Sequence, residues 1–173
     1  MIAILNQASV LGSDLFYYII LEEKKGVNAL FGFLNSSIGA MLGELYGRSY
    51  GGGVLDVKVY EAKQMPVIDP SELDKDEEAL IEQAAKGLAK AINERIKAED
   101  VFETAKPSKK GQLGLLEVKA REMIEEAIEV EKDAQKALDK TIYDVLDFTE
   151  KERNQVEEGL KELQELRMSR TKL

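Results

Sequence analysis

Cysteine, histidine and tryptophan are absent from the 173 residues, and proline occurs only three times. The first two absences exclude disulfides, zinc sites built on Cys and His, thiol nucleophiles and every triad that uses an imidazole base. No apolar run approaches the roughly 18–20 residues that a membrane-crossing helix needs. The opening MIAILNQASVLGSDLF has no basic flank and is interrupted by Asn6, Gln7 and Asp14. That pattern is not a secretory leader, and the expected address is cytoplasmic. There is no Walker sequence. The Gly-rich stretch YGRSYGGG (46–53) follows a helical run and precedes a strand-like one. Phosphate loops and dinucleotide fingerprints need the opposite order, strand then loop then helix.

What is present is a composition of 44% hydrophobic and 33% charged residues, which is that of a folded chain, with a net charge of −9. The charge is unevenly spread. Residues 1–66 hold five Lys and Arg against six Asp and Glu; the remainder hold 19 against 27. An acidic second half is a poor general surface for nucleic acid, because phosphate neutralisation supplies most non-specific affinity. Any DNA contact has to be local.

Hydrophobic patterning predicts an α+β fold: a small mixed α/β unit over 1–70, then long antiparallel helices over 71–173 forming a hairpin or bundle. IAILN (2–6) and LFYYIIL (15–21) read as short strands on either side of a Gly-Ser-Asp turn, and EEKKG (22–26) as a charged loop. Asn28 is the expected N-cap of a helix over 29–45, in which Leu30, Leu34, Ile38, Leu42 and Leu45 recur at helical spacing. VLDVKVYEAKQMPV (54–67) alternates like a half-buried strand. Helical stripes follow over 77–96 and 115–146, with a Pro- and Gly-containing linker near 98–114. Thr149 and Glu152 form the S/T-x-x-E capping box of a last helix. Long helices with narrow apolar stripes pack as a hairpin or short coiled coil.

Glu61-Ala62-Lys63 at a strand end fits the Glu-x-Lys half of a metal-dependent nuclease site, in which carboxylates hold Mg²⁺. Asp56-Val57-Lys58 and Glu117-Val118-Lys119 fit it equally. The tripeptide therefore has little specificity, and the expectation is no metal site and no catalytic residue.

Residues 15–70, taken as an ordered set, resemble the C-terminal part of adenine-specific (N6) DNA methyltransferases of restriction–modification systems. A strand like LFYYIIL precedes a helix holding Leu34-Asn35-Ser36; Tyr46-Gly47-Arg48, the Gly51-Gly52-Gly53 run and a Pro66-Val67 exit into helices follow in order. The tail 137–170 is similar to the closing helices of that family, with Phe148 where leucine is usual. Such enzymes bind S-adenosylmethionine in a Rossmann-like domain and place a Pro-Pro-aromatic loop on the flipped adenine. This chain has no Pro-Pro. The resemblance thus implies a target-recognition and helical region without the catalytic domain, and no cofactor held by this chain. The implied partners are double-stranded DNA and a methyltransferase catalytic domain or partner subunit, with a homodimer through the helices as a further arrangement.

The DNA-contacting residues expected are Arg48, Ser49, Tyr50, Gly51, Gly52, Gly53, Lys58 and Lys63. Arg48 can take guanine O6/N7 or a phosphate in bidentate fashion, and glycines let a backbone approach closely. The plainer role for Arg48 is an ion pair with Glu44, one helical turn earlier. Tyr50 can stack on a base or cover the loop, and Lys58 and Lys63 can meet phosphates or water. Asn35 and Ser36 are expected to bond nearby backbone, and Lys106, Lys109 and Lys110 form the one basic cluster of the tail. Two rival functions remain: a helical protein-interaction module, and part of a specificity subunit in a multi-subunit restriction–modification complex.

Overall fold

The computed structural model describes residues 3–6, 18–21, 26–50, 53–105 and 115–169. Among them the element order is α1 (Val27–Asn35), α2 (Ser37–Tyr46), β1 (Arg48–Ser49), β2 (Leu55–Asp56), α3 (Val59–Ala62), α4 (Lys75–Ala105), α5 (Leu115–Val145) and α6 (Glu150–Ser169). Helices hold 75% of the described residues, and the sheet is a single antiparallel pair.

The frame is α4 and α5, each 31 residues and hence about 45 Å long at 1.5 Å per residue. They run antiparallel. Arg95 of α4 pairs with Glu131 of α5, and Phe102 near the end of α4 lies under the Arg121 guanidinium near the start of α5. Buried alanines at 85, 91, 98 and 120 keep side chains short along this seam. Across it lies α1, where a Cβ on Gly32 would stand 2.7 Å from Ile81 Cγ2 and 3.3 Å from Ala85 Cβ. α2 packs on α6, with Met41 Sδ 3.8 Å from where Gly159 would carry a Cβ. One apolar cluster joins all of this: Phe33, Leu34, Ile38 and Leu42 with Met65, Ile68, Ile81, Leu138, Ile142 and Val156. Fully burying each such aliphatic side chain is worth about 1.5–3 kcal/mol. The core is continuous across residue 70.

Several local expectations are corrected. The helix expected over 29–45 is two helices, and the N-cap of the first is Gly26 rather than Asn28. The break falls at Ser36, whose hydroxyl donates to Phe33 O at 2.7 Å and accepts from Gly39 N–H. Asp139 of α5 completes the start of α2, accepting the Ser37 N–H at 2.6 Å and the Ser37 hydroxyl at 2.8 Å. Asn35 exchanges amide bonds with the Ala3 backbone and donates to Phe31 O, while Gln135 reaches the Asn35 carbonyl. Leu34-Asn35-Ser36 is thus a pinned helix break, in keeping with its expected backbone bonding.

The mixed α/β unit is also much less β than its alternation suggests. Residues 3–6 and 18–21 form no strand; the rest of 2–6 and 15–21 lies outside the described residues. Over 54–67 only Leu55–Asp56 pairs, and from Val59 the chain turns into α3. The cause is Glu61, whose carboxylate caps the Lys58 N–H at 2.8 Å and starts a helical turn. Residues 98–105 complete α4 instead of beginning a linker, and 106–114, with Lys106, Lys109 and Lys110, lie outside the described residues.

The turn between α5 and α6 follows the sequence closely. Asp147 has φ 54°, Phe148 stacks on Tyr143 at 5.8 Å between centroids, and Arg153 binds Phe148 O and Asp144. The Thr149 N–H and hydroxyl both donate to Glu152, which closes the capping box. Burial above all, with the Asp139 and Glu157 charges adding, pushes the Tyr143 phenol up to about 12.

Candidate nucleic-acid interface

The segment 47–63 forms one corner of the molecule. Gly47 ends α2 in extended conformation and is caged: a Cβ there would meet Gly43 O at 2.5 Å and Leu55 Cδ1 at 2.8 Å. The chain then enters β1, where Arg48 pairs with Asp56 and Ser49 with Leu55, and the Tyr50 N–H donates to Val54 O at 2.9 Å. Gly53 has φ 77°, a left-handed conformation that glycine adopts without strain. Gly51 and Gly52 lie outside the described residues.

Arg48, Ser49 and Tyr50 are all exposed along this edge. The Arg48 side chain keeps 56% of its surface in solvent while its Nε binds Glu61 Oε1, and its guanidinium lies 5.3 Å from the Tyr60 ring centroid. The plainer pairing with Glu44 does not occur. Beyond Gly47 the backbone is extended, so the one-turn spacing that would join Arg48 to Glu44 no longer holds. Glu44 instead binds Arg167 of α6, at 2.9 and 3.1 Å from its Nε. Lys58 is half-buried and paired with Asp56, and Lys63 is exposed at the end of α3.

Glu61 and Lys63 share one helical turn, not a strand end, and Glu61 is taken up by Arg48 and the Lys58 N–H. Among the described residues no three acidic side chains converge as metal ligands. The nuclease reading gains nothing from this geometry.

Electrostatics tie the corner together. The Lys58 N–H first, and then Arg48, hold the Glu61 carboxyl below its usual range against its burial. The same bond and charge raise Arg48. A carboxylate depressed in the folded state contributes stability that is full above its unfolded pKa near 4.3 and is lost as pH falls through the lower folded value. Thermal melts between pH 7 and 2 are therefore expected to show a stability loss beginning below about pH 4. Glu61→Gln removes part of that slope. Equal slopes in the two proteins would show that the pair carries no linkage.

Two participants are absent from the sequence expectation: Tyr60, which lies beside Arg48, and Arg167. Lys58-x-x-Glu61 has the spacing of a helix start, a signal that would have placed Tyr60 and Glu61 on α3. Arg167 is 114 residues from the loop it touches and has no local signature.

The described residues thus define a helix-dominated domain that presents one exposed arginine–tyrosine corner, with no helix long and apolar enough to cross a membrane among them. Its family follows from comparison of the sequence. The chain belongs to the family of the Type II methyltransferase M.Eco57I C-terminal domain, whose model matches residues 3–107. It is therefore a methyltransferase-related region of the restriction–modification type. The matched span holds α1 to α4 and the whole corner; α5 and α6 lie beyond it. No curated protein and no solved structure matches the chain.

Proposed function

We propose that this chain is the DNA-contacting target-recognition region of an adenine-specific (N6) DNA methyltransferase of a restriction–modification system. In this reading an S-adenosylmethionine-binding catalytic domain performs the methyl transfer, and this chain contributes recognition without catalysis. The observation that carries the reading is the exposed edge Arg48-Ser49-Tyr50, with Tyr60 beside it, set on the family's matched span. A guanidinium half in solvent can exchange its Glu61 partner for guanine O6/N7 or a phosphate. Tyr50 offers a stacking face, Lys58 and the exposed Lys63 can meet phosphate, and Gly53 adopts a conformation that carries no side chain toward an approaching duplex. The acidic α4–α5 hairpin exposes Leu80, Val101, Leu116, Met123 and Val130. Exposed apolar side chains on an acidic hairpin suit the catalytic domain or a partner subunit better than they suit DNA.

Fluorescence anisotropy on labelled duplexes, with the catalytic domain present, tests this. Arg48→Ala is expected to weaken binding to the preferred duplex by about 10- to 100-fold, the worth of one good bidentate base contact. Glu61→Gln, which releases Arg48 from its charge partner, is expected to tighten it. Equal affinity for every duplex, or no binding at low salt, would sink the proposal; a stable homodimer without DNA affinity would favour the assembly-module rival.

A further inference from the structure

We infer that Arg167, from outside the family's matched span, forms with Glu44 a positioning clamp that sets how the β1–β2 pair sits against α2. This rests in part on the reading of that corner as a DNA contact. Arg167 lies near the end of α6, yet its guanidinium holds two distant groups at once: Nε donates to both Glu44 oxygens, at 2.9 and 3.1 Å, and Nη1 donates to the Gly53 carbonyl. The Glu44 side chain is 6% exposed and that of Arg167 20% exposed, so water competes poorly for either. The carbonyl that is held belongs to the residue at φ 77°, where the hairpin reverses into Val54 and closes on the Tyr50 N–H. A planar fork with several donors makes this bridge; a lysine ammonium, a single point charge, cannot reproduce its geometry.

Glu44 sits one turn before Gly47, so the clamp ties the helix that leads into the hairpin to the carbonyl at its turn. Arg48-Ser49-Tyr50 lies between those two anchors. The orientation of the exposed edge is then decided by how α6 docks on α2, through Val156 and the Gly159–Met41 approach. Arg167 touches the hairpin's backbone and Glu44, and it needs no contact with DNA to act.

The test uses the full chain and the paired variant Glu44→Gln/Arg167→Met, which removes both charges and strands neither. Its melting temperature is expected to stay near that of the parent, whereas Arg167→Met alone leaves a buried carboxylate unpaired and melts lower. Amide exchange at Tyr50, which reports the bond to Val54, is expected to accelerate at least about tenfold in the paired variant, the scale of one hydrogen bond to a charged group. Arg167→Lys is expected to fall between the two. Duplex affinity in the presence of the catalytic domain is expected to drop with the exchange protection while the salt slope stays unchanged, because no phosphate contact is removed. Unchanged Tyr50 exchange in the paired variant overturns the clamp. Faster exchange with unaltered DNA affinity leaves the clamp standing and overturns the DNA reading of the corner instead.

Discussion

Gly26→Ala is expected to destabilise the protein by about 3 kcal/mol or more, summing the strain of a left-handed alanine with that of an overfilled contact. Gly26 caps α1 at φ 77°. A Cβ there would fall 2.0 Å from Pro70 Cβ and 2.9 Å from Pro70 Cγ, and a proline ring cannot rotate away. The same residue donates its N–H to Glu78 of α4 at 2.8 Å and accepts from the Leu30 N–H, so displacing it loosens both the first turn of α1 and its seat on α4. Urea denaturation measures the loss. The double variant Gly26→Ala/Pro70→Gly, compared with Pro70→Gly alone, separates the causes: it removes both clashing atoms, Cβ and Cγ, and so recovers the contact portion while retaining the dihedral strain. A single variant within about 0.5 kcal/mol of the parent, the range of ordinary surface changes, would refute the argument.

Asp139→Ala is expected to cost about 3 kcal/mol, because it removes a helix cap and leaves buried polar groups without partners. Asp139 is buried on α5 and accepts from the Ser37 N–H, the Ser37 hydroxyl and Gln135 Nε2. Its carboxylate meets the N-terminus of α2, where the free N–H groups and the helix dipole favour negative charge. Losing it exposes the α1–α2 break to water and frees Gln135, which also steadies the Asn35 carbonyl. Asp139→Asn keeps one acceptor for the Ser37 N–H and is expected to lose only about 1 kcal/mol, a typical cap difference. Equal losses in the two variants would mean that packing, not the cap, is what matters at this position.

These two positions show where sequence reasoning succeeds and where it stops. The α5–α6 turn was legible because all its parts lie within a few residues: Thr149 and Glu152 cap each other, and Asp147 and Phe148 interrupt the apolar stripe. The α4–α5 hairpin was legible because its stripes repeat over many turns. The strand expected over 54–67 failed because period-2 alternation over so few residues competes with one capping glutamate, and Glu61 prevailed. The break at Ser36 was hidden because the carboxylate that fixes it arrives from 102 residues away.

The sequence by itself determined the helical character of the second half, the last capping box, the likeness to methyltransferase C-terminal regions, and the exclusion of Cys- and His-based chemistry. These depend on residue type and near-neighbour spacing, which a linear reading contains. Only the tertiary structure decided that Arg48 answers to Glu61, that Glu44 belongs to Arg167, and that the Gly53 carbonyl is held by the far end of α6. Charged partners are chosen by distance in the folded chain, and a buried carboxylate takes whichever guanidinium the packing of helices brings to it.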